Sequence, residues 1–452
     1  MSDAKNGQSE KSFDLDTLKN IAEEVLTEAK KQGATESEIS LNVGRGLSVN
    51  ARLGDVESIE YHRDQGLAIS VYMGRKKGSA SSTDFKMASI HEMVVAACAI
   101  ACHAEEDEFS GLPQQDLLAT TFPELSLFHP WPLDTEQAIR LAIDCEQAAR
   151  SYHTDITNSE GASIQSFDGV SVLANSLGFN HGYPASRHSL SCSVIGEREG
   201  QMQRDYWYSS ARKEQGLESA QQVGEKAAER TVNRLGARSI STRKCPVMYS
   251  SDVSGGLIGH CIAAIRGGNI YRKSSFLLDS LNKQIFPSFM HIHEQPHLRE
   301  AMGSAPYDAE GVVTKARDIV HDGCLQGFVL SSYSARKLGM KTTANAGGVR
   351  NLTVESGELG FKGMLAKMGT GFLATELMGQ GVNALTGDYS RGAAGFWVEG
   401  GEIQYPVEEV TIAGNLKDMY KAIVAVGNDV DLRGNIRCGS ILIDEMTLAG
   451  TD

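Results

Sequence analysis

The segment SDVSGGLIGHCIAAIRGGNIYR, residues 251–272, sets Leu257, Ile258, Ile262 and Ile265 at helical spacing among small residues. A helix is predicted over 254–264, inside a region otherwise punctuated as short strands. His260 stands on it as a candidate metal ligand, but the positions that should complete a metal site hold Cys261 and Ile265.

Working outward, strand-like pieces are predicted at 247–250, 327–330, 351–354, 395–398, 404–406, 410–413 and 440–443, with one further helix at 416–425. Residues 245–452 therefore read as a mostly β domain with a few embedded helices. Upstream, the basic stretch Arg238 to Lys244 marks a boundary, and 13–237 reads as an α+β domain. There Asp14 or Asp16 caps a helix carrying Leu15, Leu18, Ile21, Ala22, Val25, Leu26 and Ala29. The period then changes to two through Ile39, Leu41 and Val43, through Leu47, Val49 and Ala51, and through Leu67, Ile69, Val71 and Met73. Glycines between these runs predict an antiparallel meander of short strands. Asp84 opens a second helix, to about His103. Helix, strands and helix recur after an acidic connection, with Asp134 and Gln137 as a capping box, glycine-punctuated strands from Ile156 to Tyr208, and a helix from Leu217 to Leu235. This suggests an architectural duplication of 13–104 in 134–236. The fold class is α+β.

A chain of 452 residues predicts roughly two to three domains. The formal charge of −14 repels a phosphate backbone, which argues against nucleic acid as a direct partner. The polar, mixed-charge arm over 1–12 reads as disordered and lacks the apolar core of a secretory signal. The longest apolar run, Met93 to Cys102, is about half of a membrane span. Cys98, Cys102, Cys145, Cys192, Cys245, Cys261, Cys324 and Cys438 show no Cys-x-x-Cys pairing. A cytoplasmic protein with reduced thiols is expected.

Several motifs have ordinary alternatives. His293-Glu294-Gln295-Pro296-His297 matches the zinc-protease pattern, yet Pro296 would remove a donor and clash with the preceding turn of the helix that the pattern needs. A polar surface loop is the simpler expectation. GTGFLA at 369–374 and GQGVNA at 379–384 fit a loose dinucleotide fingerprint without the strand–helix context that gives it meaning, and read as tight turns. Cys98 and Cys102, with His103, sit on an amphipathic helix and read as packing. His91-Glu92 reads as a helix-surface pair.

The stretches SYSARKLG (332–339), NAGGVRNL (345–352), MGQGVN (378–383), TGDYSRGAAG (386–395), PVEE (406–409), VGND (426–429) and Cys438-Gly439 resemble the TldD/PmbA family, specifically its PmbA/TldE branch. That family, once called modulators of DNA gyrase, is understood as a two-subunit metalloprotease. The resemblance implies that the partner, a TldD-like subunit, holds zinc through a His-Glu-x-x-x-His helix and a late cysteine, with the glutamate as general base. It places those positions on His260, Cys261, Ile265 and Cys438 here. No catalytic residue and no metal are then expected in this chain: the base has become a thiol and the second histidine an aliphatic side chain.

At about 100° per residue, positions 260 and 265 lie about 140° apart on an ideal helix, so convergent ligands would require a local π-type turn. With Ile265 present, a regular helix is expected, Ile262 and Ile265 packing inward. Zinc held by His260, Cys261 and Cys438 is an alternative, opposed by the divergence of adjacent helical residues.

The resemblance implies a cytoplasmic, non-catalytic subunit that docks a TldD-like partner, acts on peptides or unfolded polypeptide, as in leader-peptide removal, and forms a homodimer when alone. An exposed strand edge could hold extended substrate by backbone pairing. Asp388, Tyr389 and Arg391, read as a Gly-bounded loop, are candidate substrate contacts, or else a turn held by its own salt bridge. The alternatives are an autonomous metallopeptidase with ligands among His291, His293 and His297, and a gyrase-binding regulator.

Overall fold

The computed structural model describes residues 14–450; the arm expected over 1–12 lies outside them. Asp14 caps α1 (Leu15–Lys31) by accepting the Asp16 amide, and Leu18, Ala22, Val25 and Ala29 form its buried stripe. The alternating stretch that follows makes long strands rather than short pieces, β1 (Glu36–Arg52) and β2 (Asp55–Met73). Gly46 is no turn: a Cβ there would stand 2.2 Å from the Phe167 ring, so this glycine admits an aromatic side chain over a continuous strand. β3 (Lys76–Ser82) and α2 (Met87–His103) follow. Asp84 does not cap α2 but lies two residues before its N-cap, Lys86, where it accepts the Lys86 amide and the Ser89 hydroxyl.

The order helix, three strands, helix then recurs as α3 (Thr135–Tyr152), β4 (Ile156–Asn175), β5 (Asn180–Arg198), β6 (Gln201–Ala211) and α4 (Ala220–Arg234). Asp134 accepts the Gln137 amide at 2.7 Å, and Ser219 with Gln222 forms a full capping box at α4.

By its internal contacts the chain divides into two compact units. One contains α1, α2, β3 and the segments of β1, β2, β4 and β5 within 14–47, 61–118 and 167–186, in strand order β3-β2-β1-β4-β5. Leu18, Val25, Ile39, Leu41, Ile69, Ile90, Val94 and Val172 form its core. The other unit contains α3, α4, β6, the remaining strand segments and everything from 187 onward. In it α3 and α4 pack closely because Gly224 lacks a Cβ, which would meet the Cys145 carbonyl oxygen at 2.1 Å.

From residue 243 the elements are β7 (Arg243–Tyr249), α5 (Ser251–Ala264), α6 (Gly267–Tyr271), β8 (Ile292–Glu294), β9 (Arg317–His321), β10 (Cys324–Leu325), α7 (Ser332–Lys337), β11 (Leu352–Val354), α8 (Phe361–Met368), β12 (Gly371–Met378), β13 (Asp388–Glu399), β14 (Glu402–Asn415), α9 (Leu416–Lys421), β15 (Ile423–Val426), β16 (Ile436–Arg437) and β17 (Ile441–Ala449). The class is α+β, mostly β here. Three short helices, α6, α7 and α8, escape the periodicity argument because none is long enough to show a repeat. The strand expected at 327–330 is instead a single bridge: the Val329 amide donates to the Ile265 carbonyl oxygen, and the Gly267 amide to that of Val329. The helix expected to 425 ends at Lys421, and the β-branched Ile423 begins a strand paired with β17.

One sheet runs β14-β13-β12-β7-β17-β15, and β14 also pairs with β17 through Thr411 with Ala449, Ile412 with Leu448 and Ala413 with Thr447. Five strands thus close into a ring over those three pairs, with β15 alongside the other end of β17. A second sheet runs β10-β9-β8-β11-β16. Among the described residues no helix is long and apolar enough to cross a membrane.

Candidate functional site

Residues 251–264 form a regular helix, α5, starting directly after β7. Asp252 in its first turn complements the helix dipole and pairs with Arg230 at 2.9 Å. The helix ends at Ala264, where the Ile265 amide still donates to Cys261 at 3.1 Å, with no widened turn. Ile262 and Ile265 are buried as expected, within an apolar cluster that includes Leu257, Ile258, Phe286 and Tyr420.

The candidate positions around α5 go to three different places. His260 is half-buried, its ring edge-on to Tyr389 with centroids 6.0 Å apart and 73° between planes. Its Nε2 is buried without a hydrogen-bond partner, and burial, then the positive charge of Arg391, hold its pKa below the ordinary value. Cys261 is fully buried beside Tyr420, whose hydroxyl donates to the Leu257 carbonyl oxygen at 3.1 Å. Cys438 lies against Ser254 and the Gly439 carbonyl oxygen, 3.2 Å from its thiol. Burial pushes both thiols up to about 12, so neither offers a thiolate at neutral pH.

Asp388, Tyr389 and Arg391 begin strand β13 rather than forming a loop, and no salt bridge links them. The alternation of a strand separates them. Asp388 is exposed and accepts from the Thr386 hydroxyl and the Asn415 side-chain amide, which together lower its pKa. Tyr389 is 2 % exposed and lies beside Tyr249 and Arg391, so it packs among neighbours rather than meeting a substrate. Arg391 donates through Nη2 to the Leu377 carbonyl oxygen at 3.2 Å, while its Nε is buried without a partner. Sequence reasoning located these residues but missed Tyr249, whose role comes from the parallel pairing of β7 with β12 and has no local signature.

A zinc ion does not suit these donors. One imidazole, two protonated thiols facing elsewhere, no carboxylate and an adjacent guanidinium make the surroundings of His260 repellent to a cation. The same surroundings leave two buried polar groups, His260 Nε2 and Arg391 Nε, without a hydrogen-bond partner.

The second candidate motif is not a surface loop. His293 and Glu294 lie on β8; Glu294 is 3 % exposed and pairs with Arg317 at 2.9 Å while accepting from Asn345 and the Arg350 amide, both at 2.7 Å. A carboxylate so fully occupied cannot act as a general base. His297 turns away to the Thr314 hydroxyl at 3.0 Å, whereas His291 and His293 stack in parallel with centroids 6.3 Å apart.

Residues 37–101, 128–235 and 242–450 match PmbA/TldA metallopeptidase domain 1, central domain and C-terminal domain, respectively. Metalloprotease PmbA of Escherichia coli O157:H7 is 49% identical over 439 residues, covering 96% of this chain and 98% of its own length. A crystal structure from Bacteroides thetaiotaomicron carrying the modulator-of-DNA-gyrase label superposes with a TM-score of 0.92 at 26% identity, over 96% of this chain and 99% of that one. TldE from Thermococcus kodakarensis shares the fold, with a TM-score of 0.80 at 16% identity over 95% of this chain and 100% of its own.

Proposed function

The chain belongs to the PmbA/TldD metallopeptidase family, and from that premise we propose that it is a subunit without catalytic zinc or catalytic residues of its own, supporting a zinc-bearing TldD-like partner in cleaving peptides or unfolded polypeptide. One observation carries this reading: at the positions where the family's catalytic helix needs a base and a second histidine, Cys261 and Ile265 are fully buried among apolar side chains. Supplying a carboxylate there would mean burying an unpaired charge.

In this reading the exposed Asp388 is the candidate placed to meet polypeptide, while His260 Nε2 and Arg391 Nε stay enclosed beside the buried Tyr389. The complex works in the cytoplasm, where its eight free thiols stay reduced. Without its partner the chain pairs with itself through the same surface.

The test is co-purification with a TldD-like subunit followed by a peptide-cleavage assay. The chain alone, with zinc supplied, is expected to leave peptides intact, and the pair to cleave them. Cleavage by the chain alone, or full activity of the partner without it, overturns the proposal. DNA gyrase added to the same preparation is expected not to co-purify.

A further inference from the structure

His291 lies just before β8, His321 closes β9, and Asp322 opens the turn into β10. One ligand atom from each lies within 4.8 Å of the other two, the only such trio of His, Cys, Asp or Glu among the described residues. His291 Nε2 stands 3.6 Å from Asp322 Oδ1, and His321 Nε2 stands 3.8 Å from Asp322 Oδ2. Ligand atoms about 2.0–2.2 Å from a tetrahedral zinc lie roughly 3.3–3.6 Å apart, so these side chains would draw together from within 4.8 Å to share an ion.

The frame around them is built. Asp322 and Gly323 have φ of 48° and 73° and join His321 to its partner Cys324, which makes a two-residue hairpin turn. Gly323 is required there: a Cβ would meet the Phe286 and Pro287 carbonyl oxygens at 2.3 and 2.5 Å. Its amide donates to Met290 at 3.0 Å, clipping the turn to the segment that carries His291. Ligands from two separate stretches are thereby held in one place before any ion arrives.

The surroundings also orient the donors. Asp318 sits 3.3 Å from His321 Nδ1 and 2.6 Å from His293 Nδ1. A carboxylate that accepts a hydrogen bond from Nδ1–H fixes the proton there and leaves the lone pair on Nε2, the nitrogen turned toward Asp322 in His321, as in histidine–carboxylate pairs behind metal ions. The rings of His291 and His321 meet at 67° with centroids 5.0 Å apart, so their nitrogens approach from different directions. His291 gives up only a long contact, 3.4 Å between its Nδ1 and the Asp322 amide. The ion pairs of Asp318, Asp322 and Glu355 are all with histidines, so among the described residues no lysine or arginine pairs with these carboxylates.

We propose that His291, His321 and Asp322 bind a divalent ion of the kind that prefers imidazole, zinc above all, with Asp318 as the positioning carboxylate and the fourth position open to water. Two imidazoles and one carboxylate form a set that zinc accepts and that magnesium or calcium, which take oxygen ligands, does not favour. The ion joins β8 to the β9–β10 hairpin and lies on a different part of the chain from the His260 helix.

The experiment is calorimetric titration of zinc chloride into the full chain after treatment with a chelator. One saturable site per chain is expected, with the thermal midpoint rising as zinc is added. His291→Ala, His321→Ala and Asp322→Asn are each expected to weaken binding at least about tenfold, and Asp318→Asn about 10- to 100-fold. These side chains are at least partly exposed, so circular dichroism is expected to show folded variants. His260→Ala and Cys438→Ser are expected to leave the affinity unchanged. Absence of saturable uptake, uptake unchanged in the His291→Ala/His321→Ala double variant, or uptake lost in His260→Ala would each overturn the assignment.

Discussion

The His260 imidazole stands edge-on to the ring of Tyr389 at 6.0 Å, with Nε2 enclosed and unbonded. Burial and Arg391 depress its pKa, so the folded chain takes up this proton less readily than the unfolded chain. The unfolded state then binds more protons over the interval below the ordinary histidine value, and stability falls as the pH drops from about 6.5 toward the depressed pKa. His260→Gln removes that contribution. Denaturant midpoints at pH 7.5 and 5.0 are expected to differ less in the variant than in the parent chain, and equal differences would contradict the burial argument.

Cys261→Glu restores the acidic residue of the family's catalytic helix. Because the site is fully buried and apolar, the substitution is expected to cost at least ~3 kcal/mol, whereas Cys261→Val stays within ~1.5 kcal/mol. Urea unfolding measures both. A stable Cys261→Glu chain with zinc-dependent peptidase activity would show that the helix still supports chemistry.

Glu294 occupies the general-base position of a motif that matches a zinc protease in letters alone. Its bonds to Arg317, Asn345 and Arg350 predict that Glu294→Ala destabilises the chain by ~3–5 kcal/mol through the charge left unpaired. Cleavage by the proposed pair with a TldD-like subunit should fall only as far as the folded fraction does. Loss of turnover with an unchanged melting temperature is the opposing result.

Two glycines separate packing from propensity. At Gly256, on the exposed side of α5, nothing lies within 4 Å of the place a Cβ would take, so Gly256→Ala is expected to stabilise by ~0.5–1 kcal/mol. At Gly395, beside a bulge between β12 and β13, a Cβ would stand 1.8 Å from the Leu373 carbonyl oxygen, and Gly395→Ala is expected to destabilise by at least ~1–3 kcal/mol. Thermal melts of both variants check the pair of signs.

The amphipathic helices were legible in the sequence because their apolar spacing persists for several turns: Leu18, Ala22, Val25 and Ala29 mark α1 and are buried there. Strand lengths were not, since glycine reads as a turn whether it makes one or, like Gly46, clears room for Phe167. The inward packing of Ile262 and Ile265 followed from residue type, whereas the burial of Cys261 did not. Asp388, Tyr389 and Arg391 were misread as a loop because Gly387 and Gly392 flank a strand start, and flanking glycines do not show which side chains point inward. The grouping of His291 with His321 and Asp322 leaves no local trace, because twenty-nine residues lie between the first two and the pairing of β8 with β9 brings them together.

The pairing of β14 with β17 has a consequence for how such a chain can change over time. Many small metalloproteins unfold when the ion is withdrawn, so their ligand residues are bound to the fold as well as to the reaction. Here closure of the ring and the apolar seat of α5 hold the helix through packing. Substitutions at 260, 261 and 265 are then judged by volume and polarity alone. A duplicated copy of an enzyme built on this frame can shed its chemistry, stay folded, and survive as a scaffold for its sibling.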